Sequence, residues 1–285
     1  MSSAGQPERT GPYRHIRLVY AGQSSQLWKA RDERDGRVVA VKRLLPNRVD
    51  REHVTLLNNE RRVAESLKDS PSFLKVYDAG RDGGIPFLVL EWFPAPSVGQ
   101  LIKLGYETYS PVLPQLIPAL FEPFIPLHAA GWVHCDVKPD NFLFSPDLGV
   151  KLIDFAITEK KRSNLFARFL PKSKTIRGTA TYISPEQIDH RAIDGRTDLY
   201  SLGATILELL TAAAPFSGNT LGELLNKHRT GIVPSAAMKN RNVTPQFDAF
   251  LKSLLSPDPA QRPETAAEAF SLVKRIPIFR KNPGT

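Results

Sequence analysis

Hydrophobic and polar positions divide the chain into a first part of extended segments and a second part of mainly helical segments. Within the first part, the segment at about 50–68 has a helical pattern, because Leu57, Glu60, Ala64 and Leu67 recur at intervals of three and four residues. The other apolar segments alternate with polar residues or border turn residues such as Asp-Gly, which predicts strands. These strands are predicted at about 15–20, 25–30, 37–42, 74–79 and 86–91.

The segment Pro94–Ser97 contains two prolines in four residues and marks the predicted boundary between the two parts. Beyond it, Thr197 is predicted to cap a helix that ends at Pro215. Short apolar segments at 142–144 and 151–153 predict a small hairpin. Two further helices are predicted at 247–255 and 264–276.

The stretch Pro111–Pro126 lies in the helical part but also contains Pro114, Pro118 and Pro123. A proline inside a helix removes a backbone hydrogen bond and costs about 3 kcal/mol. We therefore expect this element to be broken or kinked.

Composition and charge narrow the class of protein. Hydrophobic residues make up 41% and charged residues 24% of 285 residues, as in globular proteins, and no apolar run approaches the ~18 residues of a membrane helix. The single cysteine, Cys135, excludes an internal disulfide framework and favours a reducing cytoplasm. The net charge of +9 is dispersed, with its densest cluster at 160–177, so nucleic-acid binding is not expected.

Four charged residues occupy places where apolar residues would be expected. Lys42 ends an apolar strand, Glu60 lies on the apolar face of the predicted helix, Asp136 follows His134-Cys135 in a loop, and Asp154 ends the second strand of the small hairpin. Each alone has an ordinary explanation, such as a lysine that reaches water or an aspartate that forms a turn. Their order and their neighbours are more specific.

The motifs that contain these residues resemble those of the protein kinase superfamily over nearly the whole chain. Val39–Lys42 is similar to the Val-Ala-Ile-Lys strand, and Glu60 falls where that family has its helix-C glutamate. The loop His134–Asn141 resembles the catalytic His-Arg-Asp loop, and Asp154–Ala156 resembles Asp-Phe-Gly. Further matches are Gly178-Thr179, Ser184-Pro185-Glu186, Asp198 and Arg262.

The resemblance implies ATP and Mg²⁺ as cofactors and assigns a role to each motif residue. It implies that Lys42 holds the α- and β-phosphates, that Glu60 orients Lys42, and that Asp136 accepts the proton of the substrate hydroxyl. It also implies that Lys138 neutralises charge on the γ-phosphate. Asn141 and Asp154 are the implied magnesium ligands. The implied nucleotide contacts, besides Lys42, are Leu18, Gly22, Ala40, Glu91, Phe93 and Leu143.

The implied fold is α+β and two-lobed, with a small antiparallel β-rich N-lobe that carries one regulatory helix and a larger, mainly α-helical C-lobe. We expect a disordered leader at 1–10, an N-lobe at 11–93, a C-lobe at 94–276 and a basic tail at 277–285. Lys138 is typical of serine/threonine kinases, and the compact C-lobe is most similar to the bacterial members.

The expected function is ATP-dependent phosphorylation of serine and threonine in protein substrates, including autophosphorylation of the chain itself. Two alternatives stay open. One is a pseudokinase that acts as a binding or scaffold module, and the other is a small-molecule kinase of the same fold. The sequence does not indicate an oligomeric state.

The chain departs from the family pattern at three places. Tyr20, Gly22 and Ser25 stand where three glycines are usual, which predicts a less adaptable phosphate-binding loop. Ala156 replaces the glycine of Asp-Phe-Gly. Cys135 replaces an arginine that commonly pairs with a phosphorylated activation segment, so activity is expected to depend less on such phosphorylation.

The predicted activation segment is strongly basic, and in the family it borders the peptide groove. A basic border favours acidic protein substrates through long-range attraction. Its cations are Lys160, Lys161, Arg162, Arg168, Lys172, Lys174 and Arg177, and its candidate autophosphorylation sites are Ser163, Ser173, Thr175 and Thr179.

Overall fold

The computed structural model describes residues 8–161 and 178–283. The chain divides into two compact units. The N-terminal unit contains the residues up to Pro94 together with Asp154–Ala156, and the C-terminal unit contains the remainder. One unit consists of a sheet with a long helix and the other is mainly helical, which confirms the predicted α+β class.

A six-stranded antiparallel sheet and one long helix build the N-terminal unit. Every predicted strand is present, and the fourth begins two residues later than expected. The elements are β1 Arg9–Thr10, β2 Tyr13–Ala21, β3 Ser25–Asp32, β4 Val38–Leu44, α1 Arg51–Ser66, β5 Val76–Asp82 and β6 Ile85–Glu91. The strands lie in the order β1-β2-β3-β4-β6-β5.

The two faces of this sheet bury different side chains, because successive residues of a strand point to opposite faces. Val39 and Val41 of β4 belong to one hydrophobic cluster. Ala40 belongs to the other, which includes Leu57 of α1. Lys42 follows the alternation of Ala40 and therefore lies on the face that α1 covers. Full burial of a side chain such as Leu57 contributes about 1.5–3 kcal/mol, which holds α1 against this face.

Helix α1 begins where the sequence pattern predicts. The Asp50 side chain caps it by accepting a hydrogen bond from the backbone N–H of His53. The four residues that define its predicted apolar face are all buried, including the charged Glu60. Burying a carboxylate is costly unless a partner compensates the charge, so Glu60 must have one.

The predicted disordered leader is too long. Residues Arg9 and Thr10 form β1, which pairs with the start of β2. Thr10 is fully buried, and its hydroxyl is 3.0 Å from the Nε2 atom of His15. These contacts order the chain before residue 11, while residues 1–7 lie outside the described part.

The C-terminal unit contains ten α-helices and four short strands in its described residues. Strand β8 pairs with β9 as the predicted hairpin, and β7 pairs with β10. The strands are β7 Trp132–Val133, β8 Phe142–Ser145, β9 Gly149–Leu152 and β10 Glu159–Lys160. The helices are α2 Val98–Lys103, α3 Tyr106–Tyr109, α4 Leu113–Ala119, α5 Phe124–Ala129, α6 Pro185–Ile188, α7 Gly195–Thr211, α8 Leu221–Thr230, α9 Ala236–Lys239, α10 Pro245–Leu254 and α11 Ala266–Arg275.

The proline-rich stretch is broken as expected: α4 ends at Ala119 and α5 begins at Phe124, after Pro123. The central helix α7 differs from its prediction at both ends. Asp194 caps it, while the Thr197 hydroxyl donates to Glu186 instead. It ends at Thr211, where the next residue, Ala212, adopts a left-handed conformation.

The predicted basic tail is part of the C-terminal unit for most of its length. Ile278 and Phe279 are buried, and Phe279 forms a β-bridge with Val243. The Asn242 side chain also binds backbone groups of Lys281. The domain therefore extends beyond residue 276. In 8–161 and 178–283, no helix combines the length and apolar character that crossing a membrane requires.

Candidate functional site

The first cluster of functional side chains lies within the N-terminal unit around Lys42. Its Nζ atom is 2.5 Å from Oε2 of Glu60 and 3.3 Å from Oδ1 of Asp154. Three of the four charged residues that the sequence singled out are thus in contact, and Glu60 has the partner that its burial demands. The pairing follows from the fold, because β4 and α1 face each other at this point.

Two carboxylates share one ammonium group in this cluster, and both burial and charge act on the pKa values of Lys42 and Glu60. Burial opposes the charge of Lys42, but Asp154 and Glu60 outweigh this effect and raise the pKa of Lys42. Burial also raises the pKa of Glu60, although the neighbouring Lys42 acts in the opposite direction. Lys42 therefore remains a cation at neutral pH and can bind a phosphate group.

Asp154 belongs to a short segment with an unusual backbone. Its φ angle is 66°, in the left-handed region that non-glycine residues seldom adopt. The following Phe155 is buried, and its ring packs edge-on against Phe73 with 5.6 Å between ring centroids. Ala156, which replaces the family's glycine, does not have a positive φ angle. A glycine at this position is therefore not required for the backbone conformation seen here.

Two of the expected nucleotide contacts, Leu18 and Ala40, lie on opposite faces of the sheet. Leu18 packs against the cluster that contains Val39 and Val41, on the face opposite to Ala40. Leu27 of β3 lies directly opposite Lys42 in the strand register and packs with the Ala40 cluster. The alternation of β3 therefore places Leu27, which the sequence analysis did not select, on the same face as Ala40 and Lys42.

The remaining expected contacts are placed as follows. Gly22 closes the β2–β3 turn, in which its N–H donates to the Ser25 carbonyl at 2.9 Å, and Tyr20 beside it is exposed. Glu91 is the last residue of β6, and Phe93, two residues later, is buried. In the C-terminal unit, Leu143 lies in β8.

The second cluster lies within the C-terminal unit, in the loop between β7 and β8. The Asp136 carboxylate accepts hydrogen bonds from the backbone N–H and the hydroxyl of Thr179, at 2.9 and 2.8 Å. Its other oxygen is 2.6 Å from Nζ of Lys138, which also donates to the Thr179 hydroxyl at 3.1 Å. The Asn141 amide donates to the Asp136 carbonyl at 2.8 Å. The three loop residues that the sequence analysis selected are therefore brought together.

Thr179 makes contacts that the sequence analysis did not predict. It was expected as an autophosphorylation site, but its hydroxyl is engaged with Asp136 and Lys138. The preceding Gly178 has a φ angle of 106°, and a Cβ atom there would lie 2.9 Å from the Cys135 carbonyl oxygen. Only glycine fits so close to that carbonyl, which explains the Gly-Thr pair.

The backbone of the loop is fixed by the buried Asp198 of α7. Its carboxylate accepts hydrogen bonds from the backbone N–H groups of His134 and Cys135, at 2.8 and 3.0 Å. It is also 2.8 Å from Nε2 of His128. Nε2 of His134 lies 3.1 Å from the Ile153 carbonyl, so this ring is used in a contact that supports the loop.

Cys135 adopts a left-handed backbone conformation with a φ angle of 68°. Its carbonyl accepts a hydrogen bond from the Gln187 side chain at 2.8 Å. The side chain is buried in a small cluster with Val133 and Ile193.

The segment that follows Thr179 is anchored to the core by a buried ion pair. The carboxylate of Glu186 contacts the guanidinium of Arg262 at 2.7 and 3.0 Å, and both side chains are almost completely inaccessible to solvent. Ser184 caps α6 through a reciprocal pair of hydrogen bonds with Gln187. These contacts therefore determine the position of the start of this short helix.

The basic part of the predicted activation segment is mostly outside the described residues. Lys160 is described, and its Nζ atom donates to the Ala130 carbonyl at 2.9 Å and lies 3.8 Å from the ring centroid of Trp132. Lys161 is the other described cation. The predicted residues outside the described part are Arg162, Arg168, Lys172, Lys174, Arg177, Ser163, Ser173 and Thr175.

Comparisons with known proteins agree with this geometry. The sequence model of the protein kinase domain matches residues 13–272. Serine/threonine-protein kinase PknL of Mycobacterium tuberculosis (strain H37Rv) is 34% identical over 275 residues, which cover 92% of this chain and 66% of PknL. Serine/threonine-protein kinase PknB of Mycolicibacterium smegmatis is 31% identical over 257 residues, covering 87% of this chain and 40% of PknB. The probable serine/threonine-protein kinase SCO3848 of Streptomyces coelicolor is 29% identical over 269 residues, covering 92% and 40%. The chain thus spans less than two thirds of the length of these relatives.

Proposed function

This chain belongs to the protein kinase domain family, and we propose that it catalyses transfer of the γ-phosphate of ATP to serine and threonine hydroxyls of protein substrates. The observation that supports this proposal best is the contact of Asp136 and Lys138 with the Thr179 hydroxyl. This intramolecular contact of the Thr179 hydroxyl is an example of the contact that a substrate hydroxyl would make. The bacterial relatives that bear the name serine/threonine-protein kinase support the same activity.

In this proposal the loop residues act on the substrate hydroxyl. Asp136 orients the hydroxyl and accepts its proton, since a carboxylate within hydrogen-bond reach can act as a general base. Lys138, at 2.6 Å from that carboxylate, offsets the negative charge that develops on the transferred group. Thr179 holds Asp136 in place while the substrate binds. Lys42 positions the nucleotide phosphates, and Glu60 prevents Lys42 from turning away.

The side chains also fit a divalent cation. Asp154 presents a carboxylate that is about one-third exposed, and Asn141 uses its amide nitrogen on the Asp136 carbonyl, which directs the amide oxygen elsewhere. Carboxylate and amide oxygens suit Mg²⁺, which usually keeps several waters and needs few protein ligands. Asp154 and Asn141 are therefore the proposed ligands. When bound, the ion would neutralise phosphate charge.

The proposal also covers the kind of protein substrate, the sites of autophosphorylation and the cellular compartment. Acidic protein substrates are favoured because the segment at 160–177 contains seven cations in the sequence. The hydroxyls of Ser173 and Thr175 in this segment are the proposed sites of autophosphorylation. A signalling role in the cytoplasm fits the need for ATP and the single cysteine.

A direct assay tests the activity. Purified protein is incubated with radiolabelled ATP, Mg²⁺ and either an acidic or a neutral protein substrate, and phosphosites are mapped. Asp136→Ala should abolish transfer and leave nucleotide binding nearly intact, because Asp136 contacts the hydroxyl and not ATP. Equal turnover by Asp136→Ala and the parent chain would refute the proposed role.

The pseudokinase alternative rests on the single glycine, Gly22, left in the phosphate-binding loop. It predicts nucleotide binding without transfer to any substrate, even with Mg²⁺ in excess. The substrate preference has its own test. Neutralising Lys172 and Lys174 should weaken phosphorylation of an acidic peptide more than of a neutral one, and the difference should shrink as salt rises. A preference that does not depend on these charges would contradict it.

A further inference from the structure

Asn59 of α1, the residue before Glu60, contacts the segment that contains Asp154. Its amide Nδ2 donates hydrogen bonds to two consecutive backbone carbonyls of the N-terminal unit, those of Phe155 at 3.1 Å and Ala156 at 3.0 Å. No motif of the sequence points to this residue, and neither the charge pattern nor the apolar face of α1 includes it. Asn59 and Phe155 are 96 positions apart in the sequence. Their contact is a directed hydrogen bond from an amide to a carbonyl.

The orientation of the Asn59 amide is determined by its partners. A guanidinium of Arg62, one turn further along α1, donates to Oδ1 of Asn59 at 2.7 Å. Guanidinium groups only donate hydrogen bonds, and backbone carbonyls only accept them. The amide therefore has one arrangement that satisfies all three contacts, with oxygen towards Arg62 and nitrogen towards the two carbonyls.

The segment at 154–156 needs such support. The left-handed conformation of Asp154 is unfavourable for a residue with a Cβ atom and persists only when the surroundings hold it. The ring of Phe155 is held by Phe73, but a ring contact does not fix the peptide planes. Hydrogen bonds to two successive carbonyls do fix the peptide planes. These two carbonyls follow directly after the Asp154 peptide.

We propose that Asn59 is a positioning residue for Asp154. It ties the backbone of Phe155 and Ala156 to α1, so that one turn of this helix controls both the Lys42–Glu60 ion pair and the direction of the Asp154 carboxylate. A displacement of α1 would disturb the phosphate-binding lysine and the metal-binding carboxylate together. This inference rests on the proposed function, in which Asp154 is a Mg²⁺ ligand.

The test uses Asn59→Leu, which keeps the approximate size of the side chain and removes the amide without adding charge. A second variant, Asn59→Asp, keeps an acceptor for Arg62 but places oxygen against the two carbonyls. The matched control is Asn58→Leu, because Asn58 is an exposed asparagine one position earlier on the same helix. Melting temperatures of all variants establish that they are folded, and Asn59→Asp serves if Asn59→Leu does not fold.

Two measurements that do not require turnover are decisive. The first is the Mg²⁺ concentration at half-maximal binding of a fluorescent ATP analogue, which should rise about tenfold in both Asn59 variants, the factor expected for about one to two lost hydrogen bonds. The second is hydrogen–deuterium exchange in metal-free protein, which should become about tenfold faster in the peptide spanning residues 154–157. Analogue binding without Mg²⁺ should change less than about twofold, and Asn58→Leu should match the parent chain.

The outcomes separate this inference from the proposed function. If the parent chain binds the analogue in a Mg²⁺-dependent manner and Asp154→Asn abolishes that dependence, the metal role of Asp154 stands. Unchanged Mg²⁺ midpoints and unchanged exchange in the Asn59 variants would then overturn the positioning role alone. If the parent chain shows no Mg²⁺ dependence, the metal role fails and the inference fails with it.

Discussion

Replacing Arg262 with alanine should strongly destabilise the C-terminal unit. The Arg262 side chain is fully buried, and its guanidinium donates to both carboxylate oxygens of Glu186 as well as to the carbonyls of Arg196 and Ser256. The substitution leaves the Glu186 carboxylate buried with its main cation removed. Removal of one partner from a buried ion pair costs about 3–5 kcal/mol. For a protein of this size, each kcal/mol lowers the melting temperature by about 2–4 °C, so the expected decrease is roughly 6–20 °C.

Differential scanning fluorimetry and urea denaturation measure this effect. Arg191→Ala is the matched control, because Arg191 forms an ion pair with Asp189 in which both side chains are partly exposed, and such pairs contribute about 0–1 kcal/mol. The double substitution Arg262→Met with Glu186→Met should recover part of the loss, since no buried charge remains unpaired. A loss below about 1 kcal/mol for Arg262→Ala would refute this reasoning. A double variant less stable than Arg262→Ala would do the same.

Three further predictions follow from individual contacts. Lys42→Met and Glu60→Gln should each reduce phosphotransfer, and the double variant should be little worse than the worse single one; additive losses would show that the pair does not act as a unit. Thr179→Val should lower turnover while nucleotide binding is retained, and Thr179→Ser should restore it, as steady-state kinetics would reveal. Burial lowers the pKa of His228 from 6.5 to about 4, so as the pH decreases the unfolded chain binds a proton on this histidine before the folded chain does. The free energy of unfolding should therefore fall as the pH decreases from 6.5 to about 4, by at most ~1.4 kcal/mol per pH unit. Denaturation of His228→Gln at several pH values should show a shallower decrease than the parent chain.

The position of a residue is predictable from the sequence where the pattern of its neighbours determines that position. The apolar spacing around Glu60 places it on the buried face of α1, and the alternation of β4 places Lys42 on the face that α1 covers. Their contact then follows from packing a helix on a sheet. The motif spacing likewise places Asp136, Lys138 and Asn141 in one loop.

Other features depend on partners that are distant in the sequence. Thr197 has the residue type of a helix cap, but its hydroxyl binds Glu186, and Asp194 provides the cap. Irregularities in the β2–β3 register change the face of the sheet to which Leu18 points. A regular two-residue alternation of side chains does not predict such irregularities. Asn59 is polar and carries no charge, so its carbonyl contacts become visible only when the fold brings residues 155 and 156 to α1.

The left-handed turn at Cys135 is specified by its backbone partners, Asp198 and Gln187, rather than by its own side chain. A change of side chain at this position therefore need not rebuild the loop that carries Asp136. Cysteine and arginine codons differ by a single base. A lineage with this loop could therefore exchange the two residues in one mutational step, and the backbone contacts of residue 135 with Asp198 and Gln187 are available to either residue.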